Sequence, residues 1–311
     1  MSAPKNYMAA CLALLSTATL SFIDNFVIVV ADHAGLWQFQ IARAIMAIPL
    51  LIIGAKLIGL QLRPKRPIKL AVRSFVVAIG LMIYFAALGT LSVAQAGAGL
   101  FSAPIWIALL GIVLFGQRLN IWQLACVMVG FAGALLILQP DWADLTFWSL
   151  FPIVAGFFYG LGMMLTRYWC ADENPASLAI GVFAALGLTS IPMLVAMTAL
   201  SDPSEVAFLL RPATFPTATF LWLTLFQAVG ALFAVSLIAE AYRTGTPEFV
   251  AIFEYSFLIF AGLWGWMLHS TILGPASWGG VAIIIISGVA MTWLTHSDTY
   301  FLRKEGSHHD A

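Results

Sequence analysis

Charged side chains are scarce in this sequence. Only 9% of its 311 residues are Asp, Glu, Lys or Arg, against about a quarter in soluble domains. The 14 basic residues are matched by 14 acidic ones, which excludes the strongly basic surface of a nucleic-acid-binding protein. The three cysteines, Cys11, Cys126 and Cys170, have neither metal-site nor redox spacing. We expect them to act as small apolar packing residues.

Motifs for catalysis and nucleotide binding are missing as well. The sequence contains no Walker A loop, no HExxH, no Gly-x-Gly-Asp and no Ser/His pair at one predicted depth. These absences argue against a chain that is driven by ATP, and they leave an intramembrane enzyme only as a remote alternative. We therefore expect no catalytic residue, no cofactor and no metal ion.

Apolar sequence is abundant instead. Hydrophobic residues make up 62% of the chain, and the mean hydropathy is +0.97. Runs of about 20 apolar residues are long enough to cross the hydrocarbon core of a bilayer. They predict an all-α integral membrane protein with ten transmembrane helices, near 7–31, 37–60, 70–91, 93–115, 120–139, 147–169, 175–199, 215–241, 247–268 and 276–295.

The distribution of positive charge predicts the orientation of these helices. With the N-terminus inside, the outer connections keep only Arg211. The other basic residues that we assign fall on the cytoplasmic side: Lys5, Lys56, Arg63, Lys65, Arg66, Lys69, Arg73, Arg118, Arg167, Arg243, Arg303 and Lys304. This asymmetry predicts that both termini are cytoplasmic, and it makes the basic run 63–73 a topology signal that touches anionic lipid.

The two halves of the chain resemble each other weakly. "AIPLLI" (47–52) has a counterpart in "SIPMLV" (190–195), and residues 99–117 align with 251–269. Since five spans per half is an odd number, the second half is inverted relative to the first. We predict a first repeat at 1–140, a second at 141–296 and a cytoplasmic tail at 297–311, with a central cavity between the repeats as in secondary transporters.

Three stretches resemble the bacterial drug/metabolite transporter superfamily, EamA type. They are Asp24 followed by "QFQIARAIMAIPLL" (38–51), "APIWIALLGIVLFGQRLNIWQLACVMVGFAGALLILQP" (103–140) and "EAYRTGTPEFVAIFEYSFLIFAGLWGW" (240–266). Three features depart from the family pattern: Gly116-Gln117 replaces a frequent Gly-Glu pair, His269-Ser270 stand where the ninth helix often ends near an acidic residue, and no lysine follows Asp24 at 26–29. Mechanisms that depend on those charges do not carry over.

The resemblance implies a secondary transporter that moves a small organic solute across the bacterial inner (plasma) membrane by alternating access. Export of an amino acid or related metabolite is our first hypothesis, and uptake of a vitamin or cofactor of the riboflavin or S-adenosylmethionine type is the alternative. The expected partners are the solute, membrane lipid and, for coupling, protons. The sequence leaves the oligomeric state open, a monomer included.

Two charged residues lie inside the first predicted hairpin. Asp24 stands in the otherwise apolar "SFIDNFVIV" (21–29), and Arg43 follows the outer turn near Ala34. By the helical rise both lie roughly 10 Å below the outer surface, where they could face each other. One interpretation is an ion pair that fixes the hairpin. The other is a cavity site, in which Arg43 meets a substrate carboxylate, or Asp24 exchanges a proton or meets a cation.

Glu254 is the second isolated acid, about 12 Å from the cytoplasmic end of its helix, and the resemblance places Glu254-Tyr255 at the cavity. It could carry a proton, or it could be a protonated acid bonded to a backbone carbonyl. Glu240 and Glu248 are expected to be solvated charges near Arg243. The predicted substrate-binding or coupling residues are Asp24, Arg43, Tyr84, Gln95, Trp106, Tyr159, Gln227, Glu254 and Tyr255.

Overall fold

A computed structural model describes residues 6–57, 59, 62–87, 99–117, 120–139, 151–202, 204–205, 207–269 and 274–309, and within these ranges every regular element is a helix. The helices are α1 (Asn6–Asp24), α2 (Val27–His33), α3 (Leu36–Leu57), α4 (Pro67–Ala87), α5 (Ala103–Phe115), α6 (Ile121–Leu138), α7 (Phe151–Trp169), α8 (Pro175–Leu200), α9 (Ala218–Thr244), α10 (Pro247–Glu254), α11 (Ser256–His269) and α12 (Pro275–His309). The predicted all-α class is confirmed.

Eight helical stretches of the described residues are long and apolar enough to cross a membrane. They are Asn6–His33, Leu36–Leu57, Pro67–Ala87, Ile121–Leu138, Pro175–Leu200, Ala218–Thr244, Pro247–Leu268 and Pro275–Leu294. Because the predicted spans 93–115 and 147–169 are described only in part, the count of ten stays a prediction. The last helix continues to His309, so most of the predicted tail at 297–311 is helical.

Helix starts follow local capping chemistry. Asn120 accepts a hydrogen bond from the Trp122 N–H (3.2 Å), and Gln123 completes a capping box at the start of α6. Asn174 caps α8 by accepting from the Ala176 N–H at 2.9 Å. These side chains satisfy backbone donors that the first helical turn leaves without partners.

Two predicted spans are interrupted rather than continuous. The first breaks after Asp24, where the Asn25 and Phe26 N–H groups donate three residues back, to Phe22 (3.3 Å) and Ile23 (3.0 Å). The ninth breaks at Tyr255, which separates α10 from α11. Each predicted intramembrane acid is therefore the last residue of a short or broken helix.

Small residues allow close helix packing, as the "GFFYG" sequence at 156–160 suggests. A Cβ atom added at Gly156 would lie 2.6 Å from the Gly99 carbonyl, and one at Gly160 would lie 3.1 Å from that of Ala103. The α7 backbone thus contacts α5 directly. The other main pairs are α1 with α9, α4 with α7, α3 with α8, and α6 with α12.

Hydrogen bonds between connections define two ends of the molecule. The Lys65 and Arg66 N–H groups donate to Glu173 (3.0 and 2.6 Å), and Arg243 Nη1 donates to the Ala171 carbonyl (3.0 Å). We call this the near end; α1 begins there, since Asn6 Oδ1 accepts from the Thr246 N–H. At the opposite, far end the Leu36 N–H donates to the Phe208 carbonyl (2.8 Å).

Candidate functional site

Asp24 lies at the interruption between α1 and α2, and its side chain is exposed. The buried Gln227 of α9 donates its amide N–H to the carbonyl of Ile23, the residue before Asp24. Asn25 Nδ2 donates to the Ser21 carbonyl (2.7 Å). Both amides donate to backbone carbonyls at the break, so the break is held by α9 as well as by local contacts.

Arg43 of α3 is surrounded by polar and aromatic groups. Its guanidinium lies 5.0 Å from the Phe39 ring centroid and 5.8 Å from that of Phe183, within cation–π range. Arg43 Nη2 donates to Gln40 Oε1 at 2.5 Å. Among the described residues, Arg43 Nε and Gln40 Nε2 find no hydrogen-bond acceptor, although both atoms are buried.

Asp24 and Arg43 interact electrostatically. Yet the ion pairs that the described residues form within 4.0 Å, Arg66–Asp172 and Arg243–Glu240, do not include this one. The charge of Asp24 also acts on the Tyr84 hydroxyl of α4. Asp24 thus lies within electrostatic range of both Arg43 and Tyr84. We call this the Asp24–Arg43 site.

Glu254 forms a second site with two tyrosines. The Tyr159 hydroxyl of α7 donates to Glu254 Oε1 (2.8 Å), and the Tyr242 hydroxyl of α9 donates to Oε2 (3.0 Å). Glu254 is 8% exposed and Tyr242 is fully buried. Both carboxyl oxygens therefore accept hydrogen bonds from side chains of other helices. We call this group the Glu254 site.

The other predicted residues are distributed around these two sites. Trp106 packs edge-on against Phe157, with ring centroids 5.3 Å apart. Tyr255 is buried, and its hydroxyl has no partner among the described residues. Gln95 lies outside the described residues.

Two charged residues are placed differently from the prediction. Arg73, expected at the lipid surface, is 1% exposed, and it donates from α4 to Thr166 Oγ1 of α7 (2.7 Å) and to the Leu178 carbonyl of α8 (3.3 Å). Glu248, expected to be solvated, is 3% exposed. Sequence reasoning also missed Gln40, Phe183 and Tyr242, whose only signal is a polar or aromatic side chain within an apolar helix.

A cavity of about 960 Å³ opens at the near end between α3, α8 and α9. Its lining contains none of the nine predicted site residues. Its charged lining residues are three basic and three acidic: Arg63, Lys65, Arg243, Asp172, Glu173 and Glu240. Glu240 and Arg243 are bonded to each other (2.6 Å). The cavity is therefore a charge-balanced vestibule, separate from both acidic sites.

Apolar spanning helices that are interrupted beside isolated acids define a class of protein, the polytopic membrane transporters. The sequence profile of the EamA-like transporter family matches residues 7–139. With the curated transporters described next, this match confirms the resemblance. Residues 7–139 thus match the EamA-like transporter family, and over most of its length the chain is similar to curated transporters, which together indicate a non-enzymatic transporter of the drug/metabolite type.

Curated relatives extend over most of the chain. A riboflavin transporter of Rhizobium johnstonii is 27% identical over 81% of this chain and 78% of its own length. A riboflavin transporter of Vibrio cholerae is 26% identical over 75% and 73%, and the pseudopaline exporter CntI of Pseudomonas aeruginosa is 21% identical over 90% and 94%. A crystal structure of a protein 15% identical in sequence superposes with a TM-score of 0.76, over 93% of this chain and 98% of the other. That likeness supports the fold.

Proposed function

We propose that this transporter moves a small zwitterionic metabolite, an amino acid or a related compound, out of the cell by alternating access. One observation carries the choice of solute: Arg43 Nε and Gln40 Nε2 are buried donors without acceptors, beside the exposed carboxylate of Asp24. A solute carboxylate would accept from both donors, while Asp24 would face the ammonium group.

The energetics favour such a ligand. A buried donor without an acceptor costs about 1–3 kcal/mol, and a charge-assisted bond to a carboxylate is stronger than a neutral one. Because the two donor atoms are shielded from solvent, a solute reaches them only after the surrounding helices part. Alternating access requires such a rearrangement.

The proposed architecture is two inverted five-helix repeats, 1–140 and 141–296, around a central cavity. The packing supports it. When each span is exchanged for its counterpart five spans away, the α1–α9 contact becomes α7–α4, and the α3–α9 contact becomes α8–α4. The α3–α8 and α6–α12 pairs map onto themselves. Such a pseudo-two-fold arrangement permits rocking of one repeat against the other.

We propose that the near end faces the cytoplasm across the inner membrane, with both termini inside. The near-end connections and vestibule carry Arg63, Lys65, Arg66 and Arg243, which agrees with the positive-inside rule. Glu254, an acid held by two tyrosines, is the proposed group for proton coupling.

Uptake of riboflavin is the second candidate. The riboflavin transporters among the relatives favour it, and so do the aromatic rings at the Asp24–Arg43 site. Phe39 and Phe183 flank Arg43, and a planar ring system could stack beside them.

A thermal-shift screen of the purified protein tests both candidates. The probes are amino acids, riboflavin, nucleosides and quaternary amines, repeated with Arg43→Gln and Glu254→Gln, and with the exposed Arg66→Gln as the matched control. We expect an amino acid to raise the melting temperature of the parent protein and of Arg66→Gln, and to lose its effect in a folded Arg43→Gln. A rise in melting temperature with riboflavin alone would favour riboflavin as the solute instead of a zwitterion. A rise with a zwitterion that persists in Arg43→Gln would overturn the proposed site.

A further inference from the structure

A third acid, Glu248, is buried in the first turn of α10 at the near end. Among the described residues, its Oε1 has no hydrogen-bond partner, and neither has Gln117 Oε1. Buried hydrogen-bond acceptors rarely lack a donor. This acid belongs to neither site described above.

The two oxygens converge on one small space beside α5. A Cβ atom added at Gly111 would collide with Gln117 Oε1 and would lie 2.9 Å from Glu248 Oε1. Gln117 Nε2 is engaged elsewhere, since it donates to the Tyr168 hydroxyl oxygen. Two facing oxygen acceptors repel each other unless one of them bears a hydrogen, and Glu248 is the group that can bear it.

The charged and titratable groups around Glu248 come from two neighbouring helices. Arg167 and Tyr168 of α7 act on it electrostatically, as does Tyr242 of α9. Arg167 does not neutralise it directly, because Arg167 Nη1 donates to the Arg243 carbonyl (2.6 Å). The described ion pairs within 4.0 Å do not involve Glu248.

Tyr242 links this acid to the Glu254 site. Its hydroxyl donates to Glu254 Oε2 at 3.0 Å, and it interacts electrostatically with Glu248. Glu248 and Glu254 stand in the first turn and at the last residue of the same half-helix, about 9 Å apart along its axis. The order from the near end inward is therefore Gln117, Glu248, Tyr242 and Glu254.

We propose that Glu248 carries an exchangeable proton whose hydrogen-bond acceptor is Gln117. Together with Glu254 it forms a proton path, and Glu248 is the proton-carrying group closer to the near end. The path rests on the proposed function, in which Glu254 couples protons to transport. In the transfer step the Tyr242 hydroxyl first turns its hydrogen from Glu254 Oε2 toward Glu248. The Glu254 carboxylic acid then gives its proton to the Tyr242 oxygen as Tyr242 releases its own proton to the Glu248 carboxylate. Tyr242 ends neutral, Glu254 ends as a carboxylate, and one proton has moved.

Infrared spectroscopy of the protein in vesicles tests the proton on Glu248 without any solute. Difference spectra between mildly acidic and alkaline buffer report the carbonyl stretch of protonated carboxylic acids. We expect Glu248→Gln to remove one component of this band, Glu248→Asp to shift it, and Gln117→Leu to move it to higher frequency because its hydrogen bond is lost. Glu205→Gln, at the exposed far end, is the matched control and should leave the band unchanged.

The outcomes separate this proposal from the proposed function. The parent protein, Glu248→Gln and Glu248→Asp are first shown to be folded by size-exclusion chromatography. An identical carbonyl band in all three would overturn the claim that Glu248 carries a proton. A Glu248 band together with an unchanged pH-driven transport of the solute in folded Glu248→Gln would overturn the path and leave the acid as a buried structural group. Failure of every probe in the thermal-shift screen would count against the proposed solute, and it would leave the infrared result standing.

Discussion

The Tyr242 hydroxyl donates to one carboxyl oxygen of Glu254 at 3.0 Å, while the Tyr159 hydroxyl donates to the other at 2.8 Å. The two tyrosines belong to α7 and α9, and the acid ends α10. A single carboxyl group thus joins three helices at a point where one span is interrupted. We expect the stability of the protein to depend on this junction.

Replacing the two tyrosines should reveal how they share the carboxyl group. We expect Tyr159→Phe and Tyr242→Phe each to lower the free energy of unfolding by about 1 kcal/mol. The double variant should lose more than the sum of the two, because either tyrosine alone still satisfies one oxygen. Denaturant unfolding in mixed micelles, followed by tryptophan fluorescence, measures these differences.

The adjacent Tyr255→Phe is the control for that series. Its hydroxyl lacks a partner among the described residues, so its removal should leave the stability unchanged or slightly higher. Strictly additive losses for Tyr159 and Tyr242 would mean that the two hydroxyls do not act on one group.

Neighbouring glycines of α12 provide a matched pair for helix packing. A Cβ atom at Gly280 would lie 2.5 Å from the Gly133 carbonyl of α6, whereas one at Gly279 meets nothing within 4 Å. We expect Gly280→Ala to destabilise the protein by about 1–3 kcal/mol, since two backbones must separate. Gly279→Ala should unfold like the parent protein in the same assay. Equal stabilities would show that α6 and α12 can move apart at no cost.

The sequence predicts the spanning helices well, because long apolar runs have few other stable arrangements. It also predicts that Asp24 and Arg43 lie at one depth, since both flank a short turn. It does not predict the helix breaks at Asn25 or Tyr255, where neither glycine nor proline marks an interruption. Those breaks depend on tertiary contacts such as the bond from Gln227 to the Ile23 carbonyl.

The burial of Arg73 and Glu248 could not be predicted for a related reason. Each lies within two turns of a helix end, where sequence position suggests contact with water or lipid headgroups. Helix rotation decides instead: α4 turns Arg73 toward Thr166 of α7, and α10 turns Glu248 toward Gln117. Such rotations arise from packing between distant segments, which one sequence does not disclose.

Neutralising the acid of the Glu254 site should uncouple transport from protons. With the solute that passes the thermal-shift screen, we expect folded Glu254→Gln to lose accumulation driven by a pH gradient. Exchange of internal for external solute should be largely retained, because exchange needs no net proton movement. Vesicle transport assays measure both rates, with Glu205→Gln as the control. A loss of both in a folded protein would assign Glu254 to solute binding instead.

The near-end closure can be tested through Cys170, which lies between α7 and α8. Glu173, 2% exposed, accepts from the Lys65 and Arg66 N–H groups and so ties this connection to the one before α4. Burial raises the pKa of the Cys170 thiol, while Arg73 acts in the opposite direction. In a background with Cys11→Ser and Cys126→Ser we therefore expect slow labelling by a membrane-impermeant maleimide, with a rate that rises with pH as thiolate forms.

Glu173→Ala removes both acceptors and should open this connection. A loss of about 1.4 kcal/mol in closure corresponds to about tenfold faster labelling of Cys170. Asp172→Ala is the matched control one residue away, since its contact with Arg66 is an exposed pair at 3.5 Å, and such pairs contribute little. Equal labelling rates for Glu173→Ala and Asp172→Ala would mean that the Glu173 bonds do not hold the near end closed, and that its closure depends on Arg243 and the Ala171 carbonyl instead.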